Sequence, residues 1–262
     1  SSSPNLQNIP IRSEVSQLIR RGFVTEPGWT FLSVDYSQVE LRILAHISQD
    51  ETLLRAFRED QDIHTATAAA IYGIPVESVT KNQRRFAKTI NFGLIYGMGA
   101  FRLARETGLT LGEAENYVKK YFGQFPGIER YLDATRQQAR VDGYVETLFG
   151  RRRYFPVFKT SMGSANRQAT QRADREAVNH PIQGTAADII KVAMIRLHAE
   201  LQARYRARLL LQVHDELLLE VPVEELEAVR DLVVETMSNA FTLDVPLKVE
   251  AETGANWLEL KE

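Results

Sequence analysis

The sequence predicts an α+β protein, with an antiparallel sheet assembled from the two ends of the chain and a large helical insertion between them. Three observations lead there. Near the start an apolar strand, Thr30 to Val34, ends in Asp35. Near the end two apolar runs, LLLQV and LLLEV, flank a polar centre at His214–Glu216. Between about Glu51 and Tyr205 most segments carry a helical period. This topology brings Asp35 and Asp215 onto one sheet.

The opening SSSPNLQNIP is rich in Ser, Pro and Asn and reads as irregular, with turns near Pro4 and Pro10. Next, PGWTFLSVDYSQVE is a turn, a strand and a polar end. Ser37 and Glu40 have capping-box spacing, so a helix is expected through VELRILAHIS. DETLLRAFRE, IHTATAAAIYG and NQRRFAKTINFGLIYGMG follow as helices, the last running into glycines. TLGEAENYVKKYFGQF opens on a Thr110 cap with Glu113 three residues on, and IERYLDATRQQARVDG stops at Gly143. YVETLFGRRRYFPV suggests a hairpin turning at Gly150. Two helices are expected on either side of a break at Pro181 and Gly184. ARLLLQVHDELLLEVP then reads as a β-hairpin, VEELEAVRDLVVETMSNAF as an amphipathic helix, and PLKVEAETGANW as a last strand and tail.

The chain has 262 residues and is 44% hydrophobic, enough for one large domain or two small ones. It has no cysteine, which excludes disulfides and thiolate metal sites. No apolar run approaches the roughly 20 residues of a membrane span. The first residues lack the basic start and apolar middle of a signal peptide. Without an initiator Met, the sequence reads as a fragment or processed piece. Net charge is -2, but it is segregated: -4 over residues 1–80, +10 over 81–175 and -8 over 176–262. A basic block can bind a polyanion locally; it also fits a solvated surface.

Carboxylates among apolar strands are costly unless paired or bound to metal. Asp35, Asp215 and Glu216 therefore fit an oxygen-ligand site for Mg²⁺ or Mn²⁺; the last two also fit a simple acidic turn. The five histidines show no HExxH spacing, which argues against zinc. Arg84, Lys88, Phe92 and Tyr96 recur every four residues on one helix face, spanning an arc of about 120°. Arg84 to Phe92 covers about 12 Å, close to the reach of a nucleoside triphosphate. Cations at one end suit phosphates and a ring at the other suits a base. The alternative is an amphipathic helix with both rings in the core and both cations in water.

In this order, the segments resemble a known family. DYSQVELR resembles motif A of the family A (polymerase I-like) DNA polymerases, RRFAKTINFGLIYG resembles motif B on the fingers helix, and QVHDE resembles motif C. SPNLQNIP, YVETLFGRRR and NHPIQGTAADIIK are typical of bacterial polymerase I and its phage relatives. The resemblance covers nearly the whole chain. It implies a palm at residues 1–37 and 204–262 and fingers at 38–203, with any thumb or exonuclease domain lying upstream of this segment. SSSPNLQ is one residue shorter than the usual family pattern, and a family Arg just before it is missing.

The resemblance also implies roles. Asp35 and Asp215, with the Tyr36 carbonyl, would hold two Mg²⁺ ions, for which Mn²⁺ can substitute; Glu216 would lie near them. Arg84 and Lys88 would hold the triphosphate, helped by His64 and Gln38. Phe92 would stack on the incoming nucleotide, and in place of the Tyr of some relatives it implies discrimination against dideoxynucleotides. Tyr96 would occupy the templating position in an open state, and Glu40 would reject a 2′ hydroxyl. Arg175, Asn179 and Gln183, with Gln7, Asn8, Arg12, Gln212 and His214, would contact template or primer. The implied activity is templated DNA synthesis by a cytoplasmic monomer of a bacterium or phage-infected cell, using primer–template DNA and dNTPs and no membrane. A single-subunit RNA polymerase, a two-metal nuclease and a noncatalytic DNA-binding fragment are the rival readings.

Overall fold

The computed structural model describes residues 9, 14–159 and 167–261. The chain divides into two compact units: residues 1–39, 186–242 and 247–262 form unit 1, and residues 40–185 and 243–246 form unit 2.

Unit 1 is built on a four-stranded antiparallel sheet. Its strands are β1 (Trp29–Tyr36), β4 (Arg208–Val213), β5 (Glu216–Pro222) and β6 (Val249–Gly254), in the order β4-β5-β1-β6. β1 outruns the Thr30–Val34 expectation at both ends because it pairs on both edges, with β5 from Trp29 to Asp35 and with β6 from Phe31 to Tyr36. Alternation sorts its side chains. Leu32 and Val34, with Leu217 and Leu219 across from them, are wholly buried. Helix α10 (Leu226–Ser238) contacts β1, β5 and β6, and the Tyr36 hydroxyl donates to the Met237 carbonyl at 2.8 Å. A second cluster gathers Phe31, Val213, Leu218, Trp257 and Leu260. Each buried core side chain of this size stabilises by about 1.5–3 kcal/mol relative to exposure.

Helix α1 (Glu14–Arg21) was not foreseen. It inverts the usual pattern: Ser16 and Arg20 are buried while Val15, Leu18 and Ile19 are exposed. Arg20 donates to the Ile9 carbonyl at 3.0 Å, and its guanidinium lies over Trp257. Apolar periodicity gives no signal when the buried face is polar.

Unit 2 holds α2 (Val39–Ser48, whose first residue falls in unit 1), α3 (Glu51–Arg58), α4 (Ile63–Tyr72), α5 (Lys81–Ile95), α6 (Ala100–Thr107), α7 (Leu111–Gln124) and α8 (Pro126–Asp142). The short hairpin β2 (Tyr144–Glu146) and β3 (Arg152–Tyr154) follows. Ile43, Leu53, Ile63, Ile90, Leu103 and Ile128 are among its largest fully buried side chains. The local signals at Thr110, Gly143 and Gly150 hold: Thr110 and Glu113 form a reciprocal capping box, and both glycines take positive φ. Asp50 caps two helices at once. Its Oδ1 accepts from Leu53 N at 3.1 Å, and its Oδ2 accepts from Gly127 N at 2.8 Å, at the start of α8.

Two expectations are corrected. Helix α2 begins at Val39, one residue later than a cap at Ser37 requires, because Gln38 sits at φ 56, outside the helical region. The break at Pro181 and Gly184 does not occur: α9 runs unbroken from Arg167 to Arg204 with Pro181 inside. Buried Ala177, Val178, Ile182 and Ile189 hold it through the bond that proline removes. Gly184 serves close packing instead, since a Cβ there would lie 2.6 Å from Thr147 Cγ2.

Candidate active site

Strand pairing sets the first part of the site. Asp35 lies directly across from Glu216 in the β1–β5 register, and the Tyr36 amide donates to the Asp215 carbonyl at 3.2 Å. Directly opposed antiparallel residues have Cβ atoms about 4.5–5.5 Å apart. Two acidic segments from opposite ends of the sequence thus meet at one end of the sheet, in unit 1. Asp215 sits in the tight turn between β4 and β5, where His214 takes φ 57 and Gln212 Nε2 braces the turn by donating to the His214 carbonyl. Glu216 is buried, and its Oε1 accepts from Ser33 Oγ at 2.7 Å. Burial pushes the Tyr36 phenol well above its ordinary range, so that side chain is a neutral core group. Among the described residues no group of three or more His, Asp or Glu side chains converges as a ready-made metal cage. Two carboxylates and a backbone carbonyl are an all-oxygen donor set, which suits a hard divalent cation that keeps waters and shares ligands with phosphates.

The second part belongs to unit 2. The core of α5 is Ala87, Ile90, Leu94 and Ile95, so the rings of Phe92 and Tyr96 are not the core face. They stand half-buried beside exposed Arg84 and Lys88, with ring centroids 6.2 Å apart. Tyr96 is the cap residue that ends the helix, and Gly97 follows at φ 76. Lys88, Phe92, Gly93, Tyr96, Met98 and Arg102 help line a cavity of about 440 Å³.

Helix α4 supplies His64, whose ring lies 5.8 Å from Phe92. Burial is the main cause that pushes His64 down to about 4, with Lys88 and Arg84 adding to it and Asp62 opposing. Asp62 caps α4, its Oδ1 accepting from His64 N at 2.9 Å and Thr65 N at 3.1 Å, while its Oδ2 takes Arg84 Nε at 2.6 Å. Burial raises the Asp62 carboxyl, but these bonds and the Arg84 charge outweigh it, and the net direction is down. Asp62 and Asn91, which contacts His64, escaped the sequence reading. The Asp62 cap before IHTATAAAIYG was visible locally, but its bond to Arg84 needs the α4–α5 packing.

Of the remaining residues, Gln38 is in unit 1, with Oε1 a buried acceptor that has no donor among the described residues. Glu40 is the second residue of α2, in unit 2. Arg175, Asn179 and Gln183 follow at four-residue steps along α9, and Arg175 Cγ packs near Gly97. Gln7, Asn8 and Arg12 lie outside the described residues.

Comparison with known proteins shows which family the chain belongs to. The model of "DNA polymerase family A" matches residues 1–259. The chain is 52% identical to the thermostable DNA polymerase I of Thermus filiformis over 262 residues, all of this chain and 31% of that protein. It is 51% identical to DNA polymerase I of Deinococcus radiodurans, covering 27% of it. It therefore spans about a third or less of these relatives. A solved structure, the POL domain of Pol1 from M. smegmatis in complex with DNA primer-template and dNTP, superposes with a TM-score of 0.94 at 45% identity, over 100% of this chain and 46% of that one. No described helix is long and apolar enough to cross a membrane. With a match that runs almost end to end, the chain belongs to DNA polymerase family A.

Proposed function

We propose that this chain is the part of a DNA polymerase that extends a primer 3′ end by template-directed addition of deoxynucleotides, acting as a cytoplasmic monomer. The observation that carries the reading is the β1–β5 register, which sets Asp35 beside the Asp215 turn. Asp35, Asp215 and the Tyr36 carbonyl would hold two Mg²⁺ ions, which supply charge neutralisation at the phosphates and favour the deprotonated primer hydroxyl. That hydroxyl attacks the α-phosphorus in line, and pyrophosphate leaves. Arg84 and Lys88 bind the triphosphate oxygens with His64 and Gln38, and Phe92 packs on the sugar and base. Tyr96 stands at the template position, and Glu40 excludes a 2′ hydroxyl. Glu216 would lie near the metals as a further catalytic carboxylate, its Oε1 held by Ser33. Arg175, Asn179, Gln183, Gln212 and His214, with Gln7, Asn8 and Arg12, contact the primer–template. The DNA and dNTP in the Mycobacterium relative's complex support these partners.

Primer extension on this chain tests the reading, with Mg²⁺ and then Mn²⁺, and with dNTPs and rNTPs in parallel. Extension with dNTPs is expected, lost by at least 10³-fold in Asp35→Asn and Asp215→Asn while primer–template binding persists. Near wild-type extension by either variant refutes the assignment. A preference for rNTPs, or a shortened primer, turns the reading to an RNA polymerase or a nuclease.

A further inference from the structure

The contact between α4 and α5 fixes more than the position of His64. His64 is a buried residue, 2% exposed, and its Nδ1 takes its role from a protein neighbour. Thr67 Oγ1 donates to the Ile63 carbonyl at 2.7 Å, which uses the hydroxyl's one hydrogen. Toward Asn91, Oγ1 is then an acceptor, and Asn91 Nδ2 lies 3.1 Å away as its donor. The same Nδ2 lies 3.0 Å from His64 Nδ1. With the amide oriented so that Nδ2 faces the ring, Nδ1 is the acceptor and a neutral ring carries its hydrogen on Nε2, while Asn91 Oδ1 is left buried with no donor among the described residues.

From this relay, Ile63 carbonyl to Thr67 hydroxyl to Asn91 amide to imidazole, we infer that Asn91 is a positioning residue for nucleotide binding. It holds His64 as the Nε2–H tautomer, so that the ring presents a hydrogen-bond donor to phosphate oxygens. The inference rests on the reading above that His64 belongs to the triphosphate site. Phosphate oxygens only accept, so the opposite tautomer would set a lone pair against them. The charged groups around the ring are Asp62, at the start of α4, and Lys88 and Arg84, on α5; burial and the two cations keep it neutral at pH 7.

Long-range ¹H–¹⁵N correlation spectra of the histidine-labelled chain read the tautomer directly, with His64 assigned from His64→Gln, and dATP with Mg²⁺ is titrated into the same samples. The expected wild-type spectrum shows a protonated Nε2 and a bare Nδ1 at pH 7. Asn91→Asp keeps the shape but replaces the donor with an acceptor, so the proton should move from Nε2 to Nδ1. The dATP Kd should weaken about 5–10-fold, the value of one hydrogen bond. In the double variant with His64→Gln the two losses should not add. A wild-type ring with its proton on Nδ1 overturns the inference without any variant, as does an Asn91→Asp spectrum unchanged from wild type. If His64→Gln still weakens dATP in those cases, the triphosphate reading survives. If His64→Gln leaves the dATP Kd unchanged, both fall.

Discussion

His64 and Asp62 show how single side chains tie stability to the site. His64 is buried and neutral, with its folded pKa lowered from 6.5 to about 4. The unfolded chain therefore binds a proton more readily than the folded one, and stability rises with pH across that window. It is fully present above about 6.5 and is lost progressively as pH falls toward about 4. Denaturant unfolding between pH 7 and pH 4 should show a loss of a few kcal/mol, part of which disappears in His64→Gln. An identical pH profile in that variant would show that the ring titrates normally. Asp62 has the same sign for a different reason: its depressed carboxyl stabilises above its unfolded value, and that stability goes as pH falls through the folded one. As the α4 cap it contributes about 1 kcal/mol. It also occupies Arg84, one of the cations assigned to the triphosphate, so an incoming phosphate competes with a carboxylate already in place.

At the level of the element, α9 and the β2–β3 hairpin set the clearest test. Glycine inside a helix ordinarily costs about 1 kcal/mol relative to alanine, so Gly184→Ala would stabilise an isolated helix. Here the added methyl would meet Thr147 Cγ2 at 2.6 Å and Arg151 Nη2 at 3.1 Å, and Arg151 also donates to the Gly184 carbonyl at 3.0 Å. The expected outcome is a loss of about 1–3 kcal/mol in thermal or denaturant unfolding. Thr147→Ser, which removes the clashing methyl, should recover much of it in the double variant. A stabilised Gly184→Ala would mean that the helix and hairpin are not packed this closely. The same packing explains why punctuation by Pro181 and Gly184 misleads. Both residues usually end helices, but buried neighbours on both sides outweigh one missing hydrogen bond. Thr110 and Glu113 read correctly because a capping box closes within four residues.

Over the whole molecule, the +10 block, residues 81–175, lies wholly within unit 2, and so does the -4 of residues 40–80, while residues 1–39 are neutral. The two units also carry different parts of the proposed chemistry, carboxylates in one and the cationic, aromatic helix face in the other. Ligand binding should therefore stabilise them separately. In hydrogen–deuterium exchange, Mg²⁺ alone should raise protection in β1 and β5 and leave α7 and α8 unchanged. Asp215→Asn should abolish the gain. Protection confined to α7 and α8 would place the cation elsewhere.

By itself the sequence determined most of the order of the elements, with α1 and α6 missed and α9 read as two helices, the sheet built from both chain ends, the hairpin tip near His214–Glu216, and the four-residue row from Arg84 to Tyr96. These follow from periodicity and turn chemistry, which act over a few residues. Tertiary structure decided the rest: which face of α5 is core, that Gln38 leaves the helix, that α1 buries its polar side, that Ser33 engages Glu216, and that Asn91 and Asp62 attend His64 and Arg84. Each of these depends on side chains from different elements meeting in space. Burial and hydrogen-bond satisfaction across such contacts outweigh the local preferences that a linear reading can see.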